Sequence, residues 1–289
     1  MSFHQVPNLY KDNDTIYHYT TSETALSHIL KRMALRLSPR SQSSDPIENT
    51  GHFFSYSGGR HGDGIHADAL RLTNESKEIL RKTKQVCFCR NNSIEDEKGM
   101  TFPPFEKYGF AKPRMWDQYG DKYKGVCLAF SLKKLLENAS KINITGNDLN
   151  YLTYHDSEVG HHSIDIHKLA HDGYDRYKQF YSDYLIRRLF NKHVDYIHEN
   201  EYRLCSFADG NFDYIDIKNA LVGVIISNLS INPFLYNGFK DILTDYPNVD
   251  IQILSFSNQT LNIQSYESRE KLLKLVGDAI KQQTENNEA

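Results

Sequence analysis

The chain has 289 residues, of which 39% are hydrophobic, 25% are charged and 12% are aromatic. This apolar fraction is sufficient for a packed core and excludes a chain that is disordered throughout. The formal net charge is -3, whereas a dedicated nucleic-acid binder is usually basic, so any such contact requires a local basic patch.

The sequence also indicates the cellular compartment in which the protein is expected. Mean hydropathy is -0.61, and no apolar run approaches the roughly 18 residues that a membrane helix needs. Residues 1–13 are polar and lack the apolar segment of a signal peptide. The four cysteines (87, 89, 127 and 205) lie in strand-like runs and match neither a disulfide framework nor a zinc knuckle. We therefore expect a soluble cytoplasmic protein with free thiols and no membrane partner.

Apolar runs and helical spacing predict the elements in chain order. Strands are predicted at 17–19, 35–37, 86–90, 125–130, 201–207, 214–217, 221–227 and 249–256. Helices are predicted after a capping box formed by Thr20 and Glu23, and at 131–140, 174–192 and 265–282. Strands and helices do not alternate regularly, which argues against a doubly wound sheet. We predict one α+β domain over residues 1–289, with a core at about 15–257, a loop insertion near 51–80, a helical insertion near 131–196 and a C-terminal helix at 265–282.

Five histidines lie close together in the sequence, at positions 155, 161, 162, 167 and 171. His167 and His171 are four residues apart and would share one face of a helix, as metal ligands do. His155–Asp156 and His171–Asp172 are His-Asp pairs of the kind found in metal phosphohydrolases. The spacing fits no complete metal motif, so we interpret the segment as solvated and pH-sensitive. We expect no metal, and a metal phosphohydrolase is kept as an alternative.

An E-x-E-x-R motif begins at Glu199 and continues through Glu201 to Arg203. Residues two apart in a strand face the same side, so both carboxylates and the guanidinium would point in one direction. Two carboxylates on one face repel each other unless a cation neutralises them or a ligand uses them. The motif therefore predicts either an exposed ion-pair ladder or a pair of functional carboxylates.

Several further motifs occur in a fixed order between residues 15 and 257: H-Y-T, L-R-L-S-P, D-P-I-E, V-C-F-C, M-W-x-x-Y-G, G-V-C-L-A-F and E-x-E-x-R. This ordered set resembles a bacterial family catalogued as a domain of unknown function. That family in turn is similar to the ADP-ribosyltransferase superfamily. The resemblance implies a split mixed sheet with flanking helices, and NAD as the substrate.

The resemblance also implies a role for each motif residue. His18, with Tyr19 and Thr20 beside it, would hold a ribose of NAD, and Trp116, Tyr119 or Tyr19 would stack on the nicotinamide. Glu201 would bind the nicotinamide ribose, and Glu199 would orient or deprotonate the acceptor. Arg36 would neutralise the pyrophosphate. Many transferases have Gly directly after the strand histidine, whereas this chain has Tyr19.

These roles predict an NAD-dependent ADP-ribosyltransferase that acts as a bacterial toxin or an anti-phage defence effector. Its acceptor would be RNA, DNA or protein, and an antitoxin or regulator is among the expected partners. Local cations at Arg81, Lys82 and Lys84, or at Lys122 and Lys124, would meet a nucleic acid or simply form a solvated face. An NAD glycohydrolase that uses water as acceptor, and a non-catalytic ligand-binding module, are the alternatives.

Overall fold

The structure is a computed structural model. It describes residues 6–43, 45, 52–59, 61–92, 105–141, 153–155, 161–230, 233–242, 244–257 and 260–264, with isolated residues 274, 277, 278 and 281. The chain divides into two compact units. The first comprises Met1–Leu35, Phe88–Ile142 and Tyr214–Ala289, and the second comprises Arg36–Cys87 and Asn143–Asp213. The single domain over residues 1–289 stays a prediction.

The strands are β1 Thr15–Thr20, β2 Ala34–Pro39, β3 Phe53–Ser57, β4 Lys84–Arg90, β5 Val126–Ser131, β6 Thr153–His155, β7 His161–Asp165, β8 Asn191–His193, β9 Glu201–Ser206, β10 Asp213–Asp216, β11 Leu221–Ser227, β12 Asp250–Ser257 and β13 Thr260–Gln264. The α-helices are α1 Asn8–Lys11, α2 Asp63–Lys82, α3 Pro113–Gln118, α4 Leu132–Ser140, α5 Ile166–Asp172, α6 Tyr174–Arg188 and α7 Pro233–Ile242. Thr24–Leu30 is π-helical, and short 3₁₀ turns cover Arg40–Gln42, Phe105–Lys107, Val194–Glu199 and Asn228–Ser230.

The first unit is built on a mixed sheet. Strand β1 pairs antiparallel with the end of β4 and with β5, which places His18 opposite Leu128. Strand β11 pairs antiparallel with β5 and parallel with β12, and β13 follows as an antiparallel neighbour of β12. The predicted fold class, α+β with a mixed sheet, is therefore confirmed.

Aromatic side chains form much of the core of the first unit. Tyr10, Tyr17 and Phe110 pack within 6.5 Å of one another by ring centroid and are fully buried. Trp116 belongs to the same cluster. Each such ring contributes about 1.5–3 kcal/mol by leaving water. Gly109 lies so close to the Tyr17 ring that a Cβ there would meet it at 2.4 Å, so this packing requires glycine.

The second unit packs three helices against a short parallel pair of strands, β3 and β7. Its core contains Leu72, Ile164, Leu169, Tyr177 and Tyr181. Tyr177 and Tyr181 lie four residues apart on α6 and form part of its buried face. Helix α6 ends at Arg188, before the predicted end at residue 192, because the chain enters strand β8 at Asn191.

The predicted loop insertion near 51–80 is wrong. Residues 53–57 form β3, and residues 63–82 form the 20-residue helix α2. The glycines at 62 and 64 lie at the start of this helix, and the buried residues Ala69, Leu72, Thr73, Ser76 and Leu80 follow at helical spacing. That periodicity was present in the sequence and outweighs the local glycine content.

Other element predictions need smaller corrections. The segment near 131–196 contains three short strands besides its helices. Thr20 belongs to β1 and does not cap a helix; instead Thr21 Oγ1 accepts a hydrogen bond from the Thr24 backbone N–H at 3.1 Å. The predicted helix at 265–282 lies outside the described residues except for isolated positions. Among the helices that the structure describes, none has both the length and the apolar composition to cross a membrane.

Candidate functional site

The two glutamates of the E-x-E motif lie in different local structures. Glu199 ends the 3₁₀ turn Val194–Glu199, and Glu201 begins strand β9. Asn200 between them has a left-handed backbone with φ 46°, a conformation that Asn adopts more readily than most residues. The alternation of side chains along a strand therefore does not explain why the two carboxylates meet. Both are buried, with exposed fractions of 2% and 3%, so the prediction of an exposed ion-pair ladder is wrong.

A lysine outside the motif joins the two carboxylates. Lys192 Nζ lies 2.7 Å from Glu199 Oε2 and 2.8 Å from Glu201 Oε2. The lysine lies on β8 and is itself 4% exposed. Its ammonium also lies 4.5 Å from the centre of the Tyr196 ring, which adds a cation–π attraction. No local spacing in the sequence links Lys192 to the E-x-E-x-R motif, so the sequence alone does not point to this residue.

Arg203 holds the other oxygen of Glu201. Its Nε and Nη2 both lie 2.8 Å from Glu201 Oε1, and its Nη1 donates to the carbonyl of Leu189 at 2.8 Å. The arginine is fully buried. Glu201 therefore has one oxygen on an ammonium and the other on a guanidinium. The two glutamates, Lys192 and Arg203 together carry balanced formal charge, which lowers the cost of burying each ion.

Tyr154 completes this group, which we call the carboxylate cluster (Tyr154, Lys192, Glu199, Glu201 and Arg203). The Tyr154 hydroxyl accepts a hydrogen bond from the backbone N–H of Glu201 at 2.9 Å. Burial, above all, raises the pKa of Tyr154 to about 12. The phenol therefore remains protonated at neutral pH and retains an O–H to donate.

Arg36 lies in the same unit as the carboxylate cluster. It is exposed on β2, and its guanidinium lies 4.5 Å above the centre of the Phe212 ring. Three of the cations considered above for contact with a nucleic acid, Arg81, Lys82 and Lys84, form ion pairs. Arg81 pairs with Glu78, and Lys82 pairs with Asp209, both at 2.7 Å. Lys84 is 1% exposed and pairs with Asp213 at 2.8 Å.

The first unit contains the H-Y-T motif. The half-buried His18 ring lies 5.8 Å from the Phe88 ring on β4. Tyr19 is buried: its hydroxyl donates to the Gly109 carbonyl at 2.7 Å and accepts from the Lys112 N–H at 3.3 Å. Burial raises the pKa of Tyr19 well above its ordinary value. Thr20 is 8% exposed at the end of β1.

The three candidates for stacking on nicotinamide differ in burial. Trp116 is fully buried, and its indole N–H donates to the Phe110 carbonyl at 2.8 Å. Tyr19 meets Trp116 edge to face at 5.3 Å. Tyr119 is half-buried and packs against the same cluster. Among these three aromatic residues, Tyr119 therefore has the most accessible ring.

The turn after Tyr119 closes against the end of β1. Asp121, Lys122 and Tyr123 all have positive φ, at 48°, 51° and 68°, which costs roughly 1 kcal/mol or more for each residue. Gly125 follows, and a Cβ there would lie 2.3 Å from the Thr20 carbonyl oxygen. Ser22 Oγ donates to the Lys124 carbonyl at 2.6 Å. The chain therefore holds a strained turn beside Thr20.

Four histidines of the second unit lie in two His–His pairs. His52 Nδ1 lies 2.9 Å from His162 Nε2, and His61 Nε2 lies 2.9 Å from His167 Nδ1. Burial lowers the pKa of His52 to about 4 and that of His162 to about 3. His167 and His171 both belong to α5, but His171 pairs with Asp172 at 2.8 Å.

Within the part of the chain that the structure describes, no group of three or more His, Cys, Asp or Glu side chains is arranged to hold a metal ion. The side chain of His155 and the D-P-I-E motif after Asp45 lie outside the described residues.

The match to a protein family falls on the residues that form the carboxylate cluster. Residues 115–204 match the model of a family described as "Protein of unknown function (DUF2971)". Comparisons with curated proteins and with solved structures returned no significant match. The matched segment is less than a third of the chain, and it includes Trp116, Tyr119, Tyr154, Lys192 and the E-x-E pair. The expected similarity to a family of unknown function is confirmed over residues 115–204.

Proposed function

We propose that the protein is an NAD-dependent ADP-ribosyltransferase and that Glu201 and Glu199 are its functional carboxylates. One observation carries this proposal: two buried carboxylates share the ammonium of Lys192. Burying charged groups costs several kcal/mol per ion, and apolar residues of similar volume often stabilise a core equally well. Buried carboxylates beside fixed cations are therefore candidates for a chemical role.

The chemistry requires a carboxylate beside the nicotinamide ribose. The bond between the ribose C1′ and the nicotinamide nitrogen breaks, and its electron pair remains on nicotinamide, which leaves as a neutral molecule. Positive charge then develops on the ribose as an oxocarbenium ion, as in glycoside cleavage. A preorganised anion such as Glu201 stabilises this charge as it forms.

The second carboxylate serves the acceptor. An acceptor O–H or N–H attacks C1′ and forms the new glycosidic bond, while Glu199 takes the proton that the acceptor releases. Glu201 keeps hydrogen-bonding capacity for a ribose hydroxyl, because a carboxylate has about four lone-pair sites. The positions of Lys192 on Oε2 and Arg203 on Oε1 would hold its orientation fixed during the reaction.

The remaining roles follow the resemblance of the sequence motifs. In that resemblance, His18 and Thr20 hold a ribose and an aromatic residue stacks on the nicotinamide; of the three candidate aromatics Tyr119 is the most accessible. Arg36, which belongs to the same unit as Glu201, would neutralise the pyrophosphate. The acceptor would be RNA, DNA or protein, in keeping with a cytoplasmic toxin or anti-phage effector. With water as the acceptor, the same residues would make an NAD glycohydrolase.

The test uses NAD labelled on the adenylate part, incubated with the purified chain and a whole-cell extract that is then separated into protein, RNA and DNA. We expect label in one fraction and free nicotinamide in equal amount. Free ADP-ribose without a labelled macromolecule would instead indicate hydrolysis. Glu201→Gln should abolish both signals, while Glu78→Gln, which removes an exposed ion-paired carboxylate, should preserve both. If the intact chain releases no nicotinamide under any condition, the proposal is wrong.

A further inference from the structure

We propose that Lys192 is a positioning residue that keeps Glu199 and Glu201 ionised together and aimed at one point. This inference rests on the proposed function, since it assigns the residue that prepares that site. The same ammonium contacts Oε2 of both glutamates, at 2.7 Å and 2.8 Å. Because both oxygens touch one nitrogen, the carboxylates lie within the range where like charges suppress each other's ionisation.

The contacts of the two cations distinguish their roles. Arg203 contacts Oε1 of Glu201 and the carbonyl of Leu189, which anchors Glu201 to the end of the preceding helix. Lys192 bridges both carboxylates. A positive charge between two carboxylates offsets their repulsion, so both can remain charged when buried. The proposed mechanism needs this state, because one carboxylate must be an anion and the other must accept a proton.

The local fold fixes the ammonium. Strands β6 and β8 pair in parallel, and Tyr154 is the register partner of Lys192. Both side chains reach Glu201, one at its backbone N–H and the other at its carboxylate. The chain then turns through Val194–Glu199 and returns Glu199 to the same ammonium. This local path of the chain positions the lysine, although no sequence motif marks it.

Lys192→Met removes the charge and keeps much of the length. Without the ammonium, one carboxylate of the pair should take up a proton near neutral pH. We expect nicotinamide release at pH 7 to fall at least tenfold and the acidic limb of its pH profile to move by one unit or more to higher pH. Lys192→Arg keeps the charge, so its acidic limb should remain near that of the native protein.

Two variants separate positioning from packing. Lys84→Met removes another buried lysine that is ion-paired, with Asp213, so it should lower stability without moving the acidic limb. Combining Glu199→Gln with Lys192→Met leaves one carboxylate, paired with Arg203, and should return the limb to its native position. If Lys192→Met does not fold at pH 7, adding Glu199→Gln or lowering the pH to about 5 should restore folding. A role in packing alone predicts neither rescue.

A measurement without NAD tests the inference separately from the proposed function. Carbon-13 NMR of protein labelled at the glutamate carboxyl carbon follows proton uptake directly. In Lys192→Met we expect one additional glutamate to titrate above pH 6, and we expect it to disappear when Glu199→Gln is added. This result in a protein that never cleaves NAD would support the positioning role and reject the transferase. An unchanged titration together with an unshifted acidic limb would overturn the assignment of Lys192.

Discussion

Tyr154 and Lys192 are register partners on neighbouring parallel strands, and both side chains contact Glu201. The hydroxyl accepts from the Glu201 N–H at 2.9 Å, and the ammonium lies 2.8 Å from Oε2. The backbone and the carboxylate of one residue are thus held by a single pair of strands. This arrangement fixes the first residue of β9, the position at which we place the reactive anion.

The two glutamates should differ in their effects on catalysis. Glu201→Gln keeps the shape and removes the charge, so we expect nicotinamide release and acceptor labelling to fall about 100-fold or more, the cost of losing one preorganised electrostatic group. Glu199→Gln should impair labelling while slow nicotinamide release remains measurable. Both reactions are measured in parallel from the same incubation.

Two controls accompany this comparison. NAD affinity, measured by calorimetry, should change little in either variant, because other groups supply most of the binding. Urea unfolding should show whether an amide that faces Lys192 and Arg203 weakens the fold. Full activity in Glu201→Gln would show that the carboxylate cluster is a buried ion-pair network with only a structural role.

The second prediction concerns the aromatic residues that are candidates for stacking on the nicotinamide, which differ in burial. Tyr119→Ala should raise the KM for NAD about tenfold with a smaller change in kcat, since stacking on an aromatic ring contributes about 1–3 kcal/mol. Trp116→Phe should leave that KM unchanged and lower stability by about 1–3 kcal/mol, because the Phe110 carbonyl loses the indole donor. Steady-state kinetics and thermal unfolding of both variants check this assignment, and the reverse pattern would identify Trp116 as the stacking residue.

The strained turn beside Thr20 gives a third prediction. Gly125→Ala should destabilise the protein by about 1–3 kcal/mol, because the new methyl group would meet the Thr20 carbonyl oxygen at 2.3 Å. Gly64→Ala is the matched control, since it lies in the first turn of α2 with nothing within 4 Å of the new atom. We expect the control to be neutral or to gain up to about 1 kcal/mol from helix propensity. Thermal unfolding of the two variants decides the comparison.

The sequence predicts the parts of this molecule that are determined locally. Short apolar runs predict the strands that include His18, Cys87 and Glu201, and helical spacing predicts α6. The motif predicts that the two glutamates act as a pair, but strand alternation is not the cause, since Glu199 lies in a 3₁₀ turn. The sequence gives no signal for Lys192 and Tyr154, because they reach Glu201 through the pairing of β6 with β8. That pairing joins residues far apart in sequence and leaves no local pattern.

The buried histidine pair gives the last prediction, which concerns stability and pH. The pKa of His162 is lowered to about 3 and that of His52 to about 4. Both rings are therefore neutral in the folded protein at pH 7, while an unfolded histidine takes up a proton below pH 6.5. The stability that depends on them is fully present above pH 6.5, and it is lost as the pH falls toward 3. Between pH 7 and pH 5, the protonation of His162 in the unfolded chain should lower the free energy of unfolding by about 2 kcal/mol. Half-buried His52 should contribute less because water screens it.

Urea unfolding of His162→Gln at pH 7 and pH 5 tests this prediction. In this variant the decrease in the free energy of unfolding between the two pH values should be about 2 kcal/mol smaller than in the native protein. Exposed His66→Gln should behave like the native protein. An identical pH dependence in all three proteins would show that the pair is not neutral when folded.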